Sequence, residues 1–85
     1  MKFRLYEDEE GKLYQVMKYP VEKQGGGTRY SYKAMYSQNN GQGWHSCRHR
    51  SLSWADTAEK AERDLEAFAK EKHLMEVGKN DNVPG

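Results

Sequence analysis

The sequence predicts an α+β fold, an antiparallel sheet of three to four strands in ββββα order packed on one C-terminal amphipathic helix. Three observations lead there. Side chains alternate over residues 2–7 and 28–37, an apolar stripe recurs at helical spacing over residues 56–72, and turn-forming glycines separate the segments. Eighty-five residues suffice for one domain. Residues 1–77 read as that domain and 78–85 as a flexible tail.

Phe3 and Leu5 fall on one side of the first strand, with Lys2, Arg4 and Tyr6 on the other. Asp8-Glu9-Glu10-Gly11 reads as a turn, Gly11 being free to take positive φ. Lys12–Tyr19 is the second strand, and Pro20 is expected to end it because proline lacks the N–H that a ladder needs. After the Gly25-Gly26-Gly27 connection, Thr28–Ser37 places Tyr30, Tyr32, Ala34 and Tyr36 on one face. Arg29, Ser31, Lys33 and Met35 take the other. Residues 38–43 form a polar loop, and Trp44 to about Leu52 reads as the next strand. The helix opens with Asp56 as N-cap and Glu59 three residues on, a capping-box spacing, with Thr57 as a rival cap. Ala58, Ala61, Leu65, Phe68 and Ala69 make its apolar stripe, and Trp54, four residues before Ala58, reads as core.

Only 35% of residues are hydrophobic and Ile is missing, so the core must draw on six Tyr, two Trp and two Phe. Each aromatic can bury roughly 150–250 Å². A single cysteine, Cys47, excludes an internal disulfide and a Cys-based zinc cage. With no apolar run near ~18 residues and no signal-peptide pattern, the expected compartment is the cytoplasm, without a membrane partner.

The net charge of +1 hides an asymmetry. Residues 12–50 hold Lys12, Lys18, Lys23, Arg29, Lys33, Arg48 and Arg50 against one acid, Glu22, whereas residues 1–11 and 51–85 are each net acidic. Alternation implies that one sheet face gathers cations and aromatics. Arg29, Lys33, Arg48 and Arg50 would contact phosphates, and Tyr30, Tyr32 or Trp44 would stack on bases. The expected function is therefore nucleic-acid binding, with duplex DNA as the first target. The competing class is a protein-interaction module, such as a regulator or inhibitor from a phage or mobile element that grips an acidic partner or adds a strand at a sheet edge. Cations that merely solubilise the sheet are the plainest reading. The binding argument needs the cations on one face; scattered over both faces and the loops, they would not support it.

Tyr32-Lys33-Ala34-Met35-Tyr36, the turn through Gly41-Gln42-Gly43 to Trp44, and Thr57-Ala58-Glu59-Lys60-Ala61-Glu62 opening the helix resemble the small N-terminal DNA-binding domains of phage-type tyrosine integrases. The resemblance covers about residues 28–72. It implies a three-stranded sheet lying in the major groove through the strands carrying Lys33, Arg48 and Arg50. The strand pair at residues 2–19 is extra to that pattern.

His45, Cys47 and His49 alternate on one side of a strand and have the one metal-like spacing, although alternate polar residues commonly line a strand. The Glu7–Glu10 run lacks the ligand periodicity of a calcium loop. No Lys-Ser/Thr follows the glycines to make a phosphate loop, and no catalytic triad is recognisable. No enzyme activity, cofactor or small-molecule substrate is expected.

Overall fold

The structure, a computed structural model, describes residues 2–38 and 41–81. The strands are β1 (Lys2–Glu7), β2 (Leu13–Glu22), β3 (Thr28–Ser37), β4 (His45–Ser46) and β5 (Met75–Asp81), with α1 (Ala58–Lys72) between β4 and β5. They form one antiparallel sheet in the order β4-β3-β2-β1-β5. The α+β class and the single helix on an antiparallel sheet stand, with five strands in place of three or four. The additional strand is β5. Gly78–Asp81, read from sequence as tail, pair with Lys2–Leu5 as its second half, while residues 82–85 lie outside the described residues.

The helix begins one residue later than the capping-box reading. Thr57 is the N-cap, in extended conformation, and its Oγ1 accepts from Lys60 N–H at 3.2 Å. Asp56 therefore precedes the cap. At the other end, His73 adopts the left-handed conformation (φ 58°) and its N–H donates to Ala69 O, closing the helix before β5. Ala58, Ala61, Leu65, Phe68 and Ala69 are all buried, as the stripe predicts. They pack with Phe3, Tyr6, Tyr14, Val16, Ala34, Cys47, Leu52 and Ala55 into one core, flanked by Tyr32, Tyr36 and Leu74. The alanines near the start of α1 let it lie close to the sheet.

β2 and β3 share ten rungs from Leu13–Ser37 to Glu22–Thr28. β2 continues through Pro20, which pairs with Tyr30, so the predicted stop is overridden. The reason lies on the other side of β2. β1 pairs with β2 only at Tyr6–Tyr14 and Glu7–Leu13, so at Pro20 the strand has an unpartnered side toward which the ring nitrogen can point. Beyond Tyr6, β1 peels from β2 toward the helix: Arg4 N–H donates to Glu62 Oε2 at 3.4 Å, and its guanidinium pairs with Glu66 at 2.8 Å.

β4 is much shorter than the Trp44–Leu52 strand expected. After Cys47 N–H donates to Ala34 O, the chain turns, with Leu52 N–H bonded to His49 O, and Leu52 enters the core. Ala55 then exchanges two 2.9 Å backbone bonds with Tyr32, so this segment returns to the edge of β3 just before the helix. In the 38–44 loop, Gly41 N–H donates to Ser37 Oγ and Trp44 Nε1 to Gly41 O; Asn39 and Asn40 of that predicted loop lie outside the described residues. Asp8 Oδ1 accepts from both Glu10 and Lys12 N–H at 2.9 Å, which gives one acid of the Glu7–Glu10 run a turn-forming role.

Candidate nucleic-acid interface

The β2–β3 hairpin has two environments. At its base, Tyr14–Met17 and Ala34–Met35 are buried, on the side away from the helix as well as toward it. Toward its tip, every residue from Glu22 to Tyr30 is exposed. Gly25, Gly26 and Gly27 have φ of 91°, 100° and 88°, a run of left-handed backbone that L side chains rarely adopt, and the Lys23–Gly27 and Gly26–Lys23 bonds close the turn. The outcome is a ribbon standing out from a molecule of 45 × 24 × 22 Å.

Cross-strand register fixes where the cations lie. Val16–Ala34 and Tyr14–Tyr36 belong to the helix side, so by alternation Lys18–Tyr32 and Pro20–Tyr30 do as well. Lys18 Nζ lies 4.4 Å from the Tyr30 ring centroid, and Lys12 Nζ lies 4.2 Å from that of Tyr36. Met17–Lys33, Tyr19–Ser31 and Val21–Arg29 occupy the opposite face. Lys23 sits at the turn, and Arg48 and Arg50 sit on the loop after β4, outside any strand. The seven cations thus occupy both faces and the loops. The expected single basic face is not what the chain builds, and Arg48 and Arg50 lack the strand positions that the integrase likeness implied.

Of the predicted contact residues, Arg29 and Lys33 share the face away from the helix. Arg29 Nη1 stands 3.9 Å from Asp56 Oδ1, an exposed pair of little energetic weight. Lys33 Nζ donates to Leu52 O at 2.8 Å and lies 5.9 Å from the Trp54 ring centroid. Arg48 lines an open cleft of about 390 Å³ at the β4 edge with Tyr36, His45 and Ser46, while Arg50 is exposed in the turn that follows. Tyr30 is 45% exposed. Tyr32 packs against the core, its ring centroid 6.4 Å from that of Phe3, and Trp44 is held in its loop by Gly41. Neither presents a bare ring.

Trp54 does. It is 53% exposed, contrary to its reading as core. The helical spacing to Ala58 does not operate because Thr57 is still extended, and Trp54 lies on a short stretched segment where Ala55 turns inward. Its ring centroid lies 5.8 Å from that of Tyr19 in a T-shaped contact. Trp54, Tyr19 and Lys33 therefore gather at the foot of the ribbon, on the face that Arg29 shares nearer the tip.

His45, Cys47 and His49 face the helix side, but each has its own packing partner. His45 lies 5.6 Å from the Tyr36 ring and His49 meets the Phe68 ring at 5.1 Å. His49 Nδ1 accepts from Ser51 N–H at 3.2 Å and lies 2.7 Å from Ser51 Oγ. Cys47 is buried, and burial pushes its thiol up to about 11, although Lys12 and Lys33 draw it back in part. A thiol held neutral is a poor nucleophile and a poor ligand. Among the described residues, no group of three or more His, Cys, Asp or Glu is placed to hold a metal, and no helix is long and apolar enough to cross a membrane.

Compared with protein-family models, curated proteins and solved structures, the chain finds no match.

Proposed function

We propose that this protein binds the phosphate backbone of nucleic acid through the β2–β3 ribbon. The observation that carries the reading is the ribbon itself: an exposed two-stranded projection bearing Arg29 on one face and Lys23 at the turn, with half-buried Lys18 at its root on the other face, against the single acid Glu22. Cations on both faces and the loops remove the basis of the flat-face contact expected from sequence; the reading rests on the projecting ribbon instead. A two-stranded ribbon fits a groove about 12 Å wide, with a wall of phosphates on either side, and a flexible strand can wrap it. Lys33 continues the cationic track toward the foot. It is also the residue on which the integrase likeness and this geometry coincide. Arg48 and Arg50 add to the positive field from a separate loop.

Each phosphate neutralised releases counterions, so binding should weaken linearly in log–log terms with salt, by roughly 0.9 per contact on duplex and ~0.7 on single strands. The test is electrophoretic retardation and anisotropy of short duplex and single-stranded probes from low to physiological salt. Absence of binding to either at low salt would end the proposal.

A second reading, contact with protein by strand addition, is favoured by one observation. β5 is an outer strand of the sheet, and Met75 and Val77 on it are 70% and 46% exposed. The occupant that fits is a second copy: antiparallel pairing about a two-fold between Val77 and Gly78 sets Glu76 opposite Lys79 twice. The irregularity that skips Val77 opposite Leu5 and Tyr6 twists this edge, so the contact would be short and weak. Light scattering over a wide concentration range decides it, a constant monomer mass excluding the pairing and Lys79→Glu weakening any dimer seen.

A further inference from the structure

Resting on nucleic-acid binding as proposed above, we infer that Trp54 is a stacking platform for an unpaired base, and that single strands are the preferred ligand over duplex. Phosphate contacts by Lys18, Lys23, Arg29 and Lys33 do not discriminate strandedness, whereas an exposed aromatic plane does. In a duplex the π-faces of the bases are covered by their neighbours; in a single strand they are open to side chains. Trp54 is the largest exposed ring described in the molecule, at 53%, and it lies on the face shared by Arg29 and Lys33. It is also oriented by its neighbours. The Tyr19 ring meets it near a right angle (77°), so the two rings pack edge to face and not by parallel stacking. On the chain side, the paired Tyr32–Ala55 backbone fixes the residue next to it. Lys33 Nζ, tied to Leu52 O, lies over the indole at 5.9 Å from its centroid, so an arriving base would share the platform with a cation that can also meet its phosphate. A platform held by a backbone bridge, an edge-to-face aromatic contact and an overlying cation loses little entropy when a base arrives. Tyr30, exposed farther along the ribbon on the other face, cannot share the same base and would meet a neighbouring nucleotide.

The experiment compares a labelled twelve-nucleotide single strand with the blunt duplex of the same sequence, at low salt, by anisotropy. The single strand should bind at least ten-fold tighter. Trp54→Ala should weaken single-strand binding roughly 5- to 150-fold, the range that ~1–3 kcal/mol of base–aromatic stacking corresponds to, and leave duplex binding and the salt slope unchanged. Trp54→Phe should retain most of the affinity. In Trp44→Phe protein, where Trp54 is the sole indole, emission should be quenched on adding the single strand; this readout does not depend on whether Trp54→Ala folds. Equal affinity for both probes, or an unquenched indole at saturation, overturns the inference while leaving the ribbon proposal standing. Failure of both probes to bind defeats the ribbon proposal and this inference together.

Discussion

The base and the tip of the β2–β3 hairpin are parts of the same two strands under opposite physical conditions. At the base, Val16 and Ala34 pack under α1 while Gln15, Met17, Met35 and Ser37 are buried on the reverse face. From Glu22 to Tyr30, nothing is buried. Burial of apolar surface is the dominant favourable term in folding, so the base supplies stability. The tip contributes backbone pairing and little else. That frees the tip's side chains, Lys23 and Arg29 among them, from packing constraints. Stability and contact with a partner thus map to different ends of one element and should be separable by substitution.

The largest effect should come from Leu65→Ala, which opens a cavity where α1 meets the base. Leu65 is fully buried, and a loss of about 2–5 kcal/mol is expected in denaturant unfolding. A loss under ~1 kcal/mol would mean that the helix does not seal the base as described. At the tip, the Lys23→Ala, Arg29→Ala double variant should lower the salt slope of nucleic-acid binding by about two and move stability by less than ~0.5 kcal/mol. If it destabilised as much as a core change, the division between base and tip would fail. Thr57→Ala removes the cap that starts α1 and should cost about 1 kcal/mol, with Asp56→Ala near neutral. The reverse order would restore the Asp56 cap.

The smallest effect concerns pH. Burial raises the Glu62 carboxyl above its ordinary 4.5, partly offset by the Arg4 amide and guanidinium, with Glu76 and Glu66 adding to the rise. Its Oε1 is buried with no hydrogen-bond partner among the described residues. A group with a raised folded value contributes stability that is full below its unfolded value and is lost as pH rises through the folded one. Glu66, lowered by its bond to Arg4, acts in the opposite sense and loses its contribution as pH falls. Glu62→Gln removes only the first effect. The melting temperature of the native protein should therefore fall relative to that of the variant between pH 4.5 and neutrality, and a constant difference would show that Glu62 is solvated.

Much of the fold was legible because local pattern and tertiary contact agree. The five apolar helix positions recur every three to four residues, and every one is buried. The alternating tyrosines of β3 likewise marked a strand. Three features were hidden, two because a distant partner decides them and one because a local turn does. β5 carries a glycine and several polar residues, and pairing with β1 makes it a strand. Pro20 reads as a stop until β1 is seen to diverge and leave that side open. The stretch after Trp44 alternates like a long strand, but the His49–Leu52 turn shortens it to two residues. Of the candidate site, Arg29, Lys33 and Tyr30 were identifiable by residue type and parity. Trp54 was not, because its exposure depends on Ala55 crossing to Tyr32, a contact spanning 23 positions.

The narrow join between β1 and β2 has a consequence for the order in which the molecule assembles and opens. Two rungs hold these strands together, whereas ten join β2 to its neighbour in the hairpin. The hairpin closes a short loop and can form early; the β1–β5 pair must bring together segments about seventy residues apart and bears a larger closure entropy. The outer pair should therefore dock last and detach first, exchanging its amide hydrogens with solvent while the hairpin base and α1 remain protected.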